Sequence, residues 1–240
     1  MVNNIETMLS GMKLSGMHTQ WKAMVETRDH FDLSLIDGLE VLLQAEQQDR
    51  EQKRFERLIK NARFRYRASI EELRFDASRG MDKTLITTLA TGDYIKHGEA
   101  VLVTGATGCG KSFLASALGH QACMQGHKVL YFNFMKLMQR LKVARIEGTV
   151  FKLFDKIAKT DLLILDDFGL AYLDKKQQMD LMEIIEDRHA VKSTIIASQL
   201  PLEKWFDVIG DATIADAILD RLIHSAYKIN LTGESLRKKL

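Results

Sequence analysis

Proline is nearly missing from this chain: Pro201 is the single one in 240 residues, against a common usage of about 5%. Proline-rich linkers are therefore excluded, and helices are free to run long. Cysteine is scarce too. Cys109 and Cys123 are the two present, and neither sits in a zinc or disulfide spacing, so the chain is expected to work reduced, in a cytoplasm. No run of about 18 apolar residues occurs, which excludes a spanning helix. Met1 to Gln20 mixes Asn3, Asn4, Glu6, Ser10 and Lys13 through its apolar residues and so lacks the apolar centre of a signal peptide. A dominant charge is also absent, since 34 Lys and Arg nearly cancel 32 Asp and Glu. What is present is a 46% apolar, 28% charged composition, enough to bury a real core. The length suits one large domain, or a main domain with an appendage.

The charges are unevenly placed. From Asn4 to about Leu73 the sequence reads as helix alone, with Leu33, Ile36, Leu39, Leu42 and Leu43 recurring at three- and four-residue steps. Between residues 50 and 67 lie Arg50, Lys53, Arg54, Arg57, Lys60, Arg63, Arg65 and Arg67. Only Glu51 and Glu56 oppose them, which predicts one helix with a net charge of +6. Most charge runs are solvated faces. Here acidic partners are few and Phe64 and Tyr66 interrupt the bases, a footprint that predicts nucleic-acid contact through Arg50, Lys53, Arg54, Arg57 and Lys60.

Around Asp76-Ala77-Ser78-Arg79-Gly80 the helical pattern breaks. The expected division is a helical N-terminal domain over 1–75, for DNA or partner binding and assembly, and a second domain over 76–240. Five strands are predicted there: Ala100 to Thr104, Val129 to Phe132, Leu162 to Leu165, Thr194 to Ala197 and Tyr227 to Leu231. Helical patterns over Lys111 to Gln125, Met135 to Ile157, Lys176 to Ala190 and Leu202 to Ala226, broken near Gly210, separate them. Strands interleaved with helices predict βαβ units and a five-stranded parallel sheet covered on both faces, an α/β fold.

Gly105-Ala106-Thr107-Gly108-Cys109-Gly110-Lys111-Ser112, followed by Phe113, fits the phosphate-binding pattern G-x-x-x-x-G-K-[ST] between a strand and a helix. The glycines let consecutive N–H groups turn toward one anion, and the following helix adds its positive end. Lys111 is placed to reach β- and γ-phosphates, and the Ser112 hydroxyl to ligate Mg²⁺. Downstream, Leu162-Leu163-Ile164-Leu165-Asp166-Asp167 is an apolar strand ending in two acids, which are costly to desolvate unless they face a cation or activate a water. Asp166 is expected to hold Mg²⁺ and Asp167 to polarise the attacking water of ATP hydrolysis.

Beyond these motifs, Thr194-Ile195-Ile196-Ala197-Ser198-Gln199-Leu200-Pro201, Ala217-Ile218-Leu219-Asp220-Arg221-Leu222 and Gly233-Glu234-Ser235-Leu236-Arg237-Lys238 resemble the IstB family. This is a family of insertion-sequence ATP-binding helpers within the AAA+ ATPases of the DnaA and DnaC clade. The resemblance is strongest from about Phe75 to Lys239. It implies that Ser198 or Gln199 senses the γ-phosphate, that Arg221 is an arginine finger for a neighbouring subunit, and that Arg237 is a second sensor. It also implies basic helices after the second strand, fitting Lys136, Arg140, Lys142 and Arg145, that face double-stranded DNA inside a ring or helical homo-oligomer. The expected function is an ATPase that assembles on target DNA and recruits or activates a cognate transposase. A replicative helicase loader of the DnaC type is the alternative. A P-loop kinase would need an Arg-rich lid, and no segment supplies one. Two departures stand out: Asp167 replaces the usual Glu, and the nine residues after Leu231 are too few for a C-terminal lid domain.

Overall fold

The computed structural model describes residues 2–28 and 33–236. Two compact units divide between Arg57 and Leu58. The first, Met1–Arg57, holds helix α1 (Val2–Gly11), helix α2 (Ser15–Thr27) and most of helix α3 (Leu35–Ala62). Its polar anchor is Glu46 of α3, which is buried and accepts from the N–H groups of Gly16 (2.9 Å) and Met17 (3.2 Å). A carboxylate there satisfies donors that the first turn of α2 leaves free and complements its positive end. Burial alone would raise the Glu46 carboxyl, but Arg50 and the two backbone bonds outweigh it and hold it below its usual range. The apolar positions Leu35, Ile36, Leu39 and Leu43 of α3 remain exposed.

The helix expected to reach Leu73 stops at Ala62. Arg63 takes a left-handed backbone (φ 58°), which no α-helix continues through, and residues 63–76 run as irregular chain. Arg63, Arg65 and Arg67 therefore do not belong to the basic helix. Arg50 and Lys53 also find acids that the 50–67 window leaves out: Glu46 and Asp49, each 2.7 Å away and one turn upstream.

The second unit carries a five-stranded, all-parallel sheet ordered β2-β3-β4-β1-β5. The strands are β1 (Val101–Gly105), β2 (Val129–Asn133), β3 (Leu162–Phe168), β4 (Ser193–Ser198) and β5 (Tyr227–Leu231), as the periodicity predicts. β1, β3 and β4 are buried along nearly their whole length, because helices cover both faces. These are α4 (Lys83–Ala90), α5 (Asp93–Lys96), α6 (Lys111–Met124), α7 (Phe134–Ile146), α8 (Val150–Ala158), α9 (Lys175–Arg188), α10 (Trp205–Ile209) and α11 (Ala212–Ile223). The predicted helix over Met135 to Ile157 is split at Gly148, whose φ of 69° makes the α7–α8 turn. Asp174 and Gln177 form a reciprocal capping box on α9. On one face, Phe168 packs against Phe134 (ring centroids 5.0 Å apart) and Trp205 (4.7 Å). Arg188 is wholly buried, yet it donates to the carbonyls of Ile157 (2.6 Å), Thr160 (2.8 Å) and Ser193 and to the Thr194 hydroxyl. That set stitches the end of α8 and the start of β4 together, while burial pulls the guanidinium down to about 9.

The unit boundary falls earlier than the one expected near residue 76, and aromatic packing explains it. Phe64 lies against His120 (4.5 Å) and edge-on to Tyr131 (6.2 Å), and Tyr66 lies 6.4 Å from Phe113. Residues 58–75 are thus bound to the sheet unit by their own side chains. Among the described residues no helix is long and apolar enough to cross a membrane.

Candidate active site

The site forms at the carboxyl edge of the sheet, where a parallel α/β fold leaves its crevice. β1 delivers Gly105, and the loop through Gly110 turns into the N-terminus of α6 at Lys111. Gly108 has a φ of 83°, and a Cβ there would collide with the Ser235 hydroxyl, so a side chain is excluded twice over. Thr107, Gly108, Gly110, Lys111, Ser112 and Phe113 border a cleft of about 220 Å³ together with Tyr66, Asp167, Gln199 and Leu236. A second hollow of about 440 Å³ shares Gly110, Phe113 and Leu236, and adds Leu73, Met81, Cys109 and Leu231. The Lys111 ammonium bonds the carbonyls of Gly105 (2.7 Å) and Ala106 (2.8 Å), bracing the loop around itself.

β3 delivers the acids through a β-bulge. Its register against β4 shifts between Leu165 and Phe168, and Asp167 sits in the left-handed region with a φ of 59°. Aspartate tolerates that conformation better than most residues, and the bulge re-aims its side chain. Asp166 is buried. Its Oδ1 accepts from the Ser112 hydroxyl at 3.0 Å and its Oδ2 from the Tyr131 hydroxyl. Burial and then the Asp166 charge push the Tyr131 phenol well above its usual value, so it stays a donor. Oδ2 of Asp167 accepts from Asn133 (2.9 Å) and from Arg65 (3.0 Å). Asn133 serves twice, since its amide oxygen also caps α7 at Lys136.

No group of three or more His, Cys, Asp or Glu suited to a metal occurs among the described residues. The Ser112 hydroxyl and Asp166 carboxylate, 3.0 Å apart, are nevertheless two hard oxygens of the kind Mg²⁺ takes when phosphates and water complete its shell. The residues fit that ion.

The two γ-phosphate sensor candidates separate. The Ser198 hydroxyl is buried and engaged with the Phe168 carbonyl (2.8 Å) and the Leu200 N–H (3.1 Å). Gln199 lies in the cleft and accepts from the Thr107 hydroxyl at 2.7 Å. Arg221 is ion-paired with Glu186 of α9 at 2.7 Å. Arg237 lies outside the described residues, though Leu236 before it bonds its N–H to the Gly108 carbonyl (2.9 Å). Arg79 donates to the Glu234 carbonyl (2.7 Å) and so clips the same tail. Lys136, Arg140 and Lys142 are exposed on α7, and Arg140 borders a groove of about 350 Å³ with Lys152 and Lys156. Arg145 differs from them, being paired with the buried Asp180 and packed over Phe154.

Sequence reasoning missed Arg65, Tyr66, Tyr131, Asn133 and Leu236. Asn133 carried a signal, as a helix-capping residue closing the strand beside the acids. Arg65 carried none, because it read as one more base in a helix.

The family described as IstB-like ATP binding protein matches residues 7–240. An insertion sequence ATP-binding protein of Sinorhizobium fredii is 40% identical over 230 residues, 96% of this chain and 94% of that relative. The ATP-binding protein of insertion sequence IS1162 of Pseudomonas fluorescens is 40% identical over 84% of this chain and 87% of its own length. Among solved structures, a DnaC helicase loader shares the fold with a TM-score of 0.54, at 22% identity over 72% of this chain and 98% of that one.

Proposed function

Since this chain belongs to the IstB-like ATP-binding protein family, a P-loop AAA+ group, we propose that it is an ATPase that assembles on double-stranded DNA and recruits or activates a transposase. The observation that carries the reading is the convergence of Lys111, Ser112, Asp166, Asp167 and Gln199 on one cleft edge. The cleft over the loop suits the triphosphate, and the neighbouring hollow with Leu73, Met81 and Leu236 suits the nucleoside. Lys111 would exchange its loop carbonyls for the β- and γ-phosphates, while the N–H groups at the start of α6 hold the rest of the charge. Mg²⁺ held by Ser112 and Asp166 would neutralise charge on those phosphates. Asp167 orients and deprotonates the attacking water, and Gln199 reports the γ-phosphate to β4. Arg221 completes the site of a neighbouring subunit after leaving Glu186. Lys136, Arg140 and Lys142 contact DNA phosphates, as do Arg54, Arg57 and Lys60.

Four kinds of measurement test the reading: nucleotide binding and turnover, microscopy, pull-down and salt dependence. Lys111→Ala should lose most nucleotide affinity, whereas Asp167→Asn should bind ATP and stall. Equal turnover in Asp167→Asn and wild type would move the base role elsewhere. With a non-hydrolysable ATP analogue, electron microscopy should show assemblies on duplex DNA. Retention of a transposase rather than a helicase in pull-downs separates this function from the helicase-loader alternative. Affinity for DNA should fall with salt at a log–log slope of about −0.9 per phosphate neutralised. Joint removal of Lys136, Arg140 and Lys142 should flatten that slope for every sequence alike, and an unchanged slope would turn α7 away from DNA.

A further inference from the structure

Arg65 is the one described base outside the phosphate loop that reaches the acid pair, and its position is built rather than incidental. α3 ends at Ala62 and Arg63 turns the chain in a left-handed conformation. Phe64 then enters a notch on α6 where Gly119 leaves room. A Cβ at Gly119 would lie 2.9 Å from Phe64 Cζ, 2.8 Å from Ile164 Cδ1 and closer still to Phe64 Cε1. On the other side, Tyr66 packs toward Phe113 and borders the phosphate cleft. Arg65 is thus clamped between two aromatic anchors. Its guanidinium lies 3.0 Å from Asp167 Oδ2, 3.6 Å from Asp166 Oδ2 and 5.5 Å from the centre of the Tyr66 ring.

The consequence lies in what Asp167 can still do. Its Oδ2 is shared by the Asn133 amide and the Arg65 guanidinium, so that oxygen is engaged, and a water can bond to it only by displacing one of them. A guanidinium beside both carboxylates also opposes a second cation at Ser112 and Asp166, because like charges at this range repel. We propose that Arg65 is a positioning residue that holds Asp167 out of reaction and competes with Mg²⁺ at the acid pair, so that loading Mg²⁺–nucleotide requires it to swing out on its Phe64 and Tyr66 anchors. This rests on the nucleotide-site reading above. Its new content is a tethered cation, supplied by the chain just after α3, that keeps basal hydrolysis low until nucleotide and metal displace it.

The test is the Mg²⁺ dependence of binding of a fluorescent non-hydrolysable ATP analogue, measured with basal hydrolysis for wild type, Arg65→Gln and Arg65→Lys. Arg65→Gln should lower the half-saturating Mg²⁺ about fivefold, the scale of a partly exposed ion pair, and raise basal turnover. Arg65→Lys keeps the charge and should stay near wild type. Phe64→Ala leaves the charge but removes its anchor, so it should shift Mg²⁺ dependence the same way as Arg65→Gln; it also reads the effect if Arg65→Gln folds poorly. An unchanged Mg²⁺ requirement in both Arg65→Gln and Phe64→Ala overturns the inference, as does a fall in basal turnover. If the wild type binds the analogue and only these shifts are missing, the inference fails and the nucleotide site stands. If the wild type binds no analogue at all, both fall.

Discussion

Gly119→Ala isolates the Phe64 anchor without touching any charged group. The mutation adds one methyl in the interior of α6, where alanine is favoured over glycine by about 1 kcal/mol. Against that gain stands the collision, since contacts of 2.8 and 2.9 Å with Ile164 and Phe64 are far inside normal packing distance. Overpacking of this kind costs about 1–3 kcal/mol. If Phe64 leaves the notch instead, the loss is the burial of a mostly buried phenylalanine, about 1–2.5 kcal/mol. The two routes give a net destabilisation between about 0 and 2 kcal/mol. At about 2–4 °C per kcal/mol for a chain of this size, the melting temperature should drop by less than about 8 °C. The function should move more than the fold: Arg65 loses its clamp, so the Mg²⁺ requirement for nucleotide binding should fall as in Phe64→Ala. Scanning fluorimetry paired with the Mg²⁺ titration reads both quantities on one sample. A melting temperature lowered by much more than 10 °C would show the notch to be general core. A lowered one with a wild-type Mg²⁺ titration would show that Phe64 does not hold Arg65.

Acid should loosen the same anchor. Burial holds the His120 imidazole below its usual value, with the Arg67 charge adding to it and the Tyr66 backbone bond and Glu72 opposing, and its Nε2 has no hydrogen-bond partner. The folded state therefore prefers the neutral ring. Stability is complete above the unfolded value of about 6.5 and declines as pH falls through it toward the lower folded value; His120→Gln should flatten that decline in urea denaturation, and an unaltered pH slope would acquit His120. Arg145→Gln leaves buried Asp180 with Lys176 at 3.9 Å as its ion-pair partner. Discounted for the part exposure of Arg145, the loss should be about 2 kcal/mol by urea midpoint, and a loss under about 0.5 kcal/mol would return Arg145 to the candidate DNA contacts. Glu186→Gln releases Arg221 and should raise hydrolysis in DNA-bound assemblies while leaving ATP binding by the dilute protein unchanged. Unchanged turnover on DNA would mean that the Glu186 pair does not restrain Arg221.

The sheet and its phosphate loop were legible because their signals are local. Apolar runs such as Leu162 to Leu165 mark strands buried on both faces, and the loop's glycines record backbone conformations that few other residues adopt. The acids were legible as a position, at the end of β3, but their partners were not. Tyr131, Asn133 and Arg65 meet them across the sheet or from 102 residues upstream, and no periodicity encodes such a meeting. The basic stretch misled for a related reason. Helix propensity continues past Ala62, and what ends the helix is the gain from seating Phe64 and Tyr66 on α6, a tertiary effect that local preference cannot register. The same holds for Arg145 and Arg221, which share the texture of exposed bases while acids on α9 engage them.

The left-handed bulge at Asp167 makes the choice of acid a matter of backbone as well as reach. Asp and Asn are several-fold enriched in that conformation. Glu, one methylene longer, lacks the short polar arm that makes it tolerable, so a Glu here would favour flattening the bulge. Flattening would undo the pairing of Phe168 with Ser198 beyond it, where the Ser198 hydroxyl holds the Phe168 carbonyl and the chain leaves for Gln199. Asp167, the proposed water-activating acid, and the candidate γ-phosphate reader are therefore geared through a single irregular step in β3, and displacement of one should rotate the mount of the other.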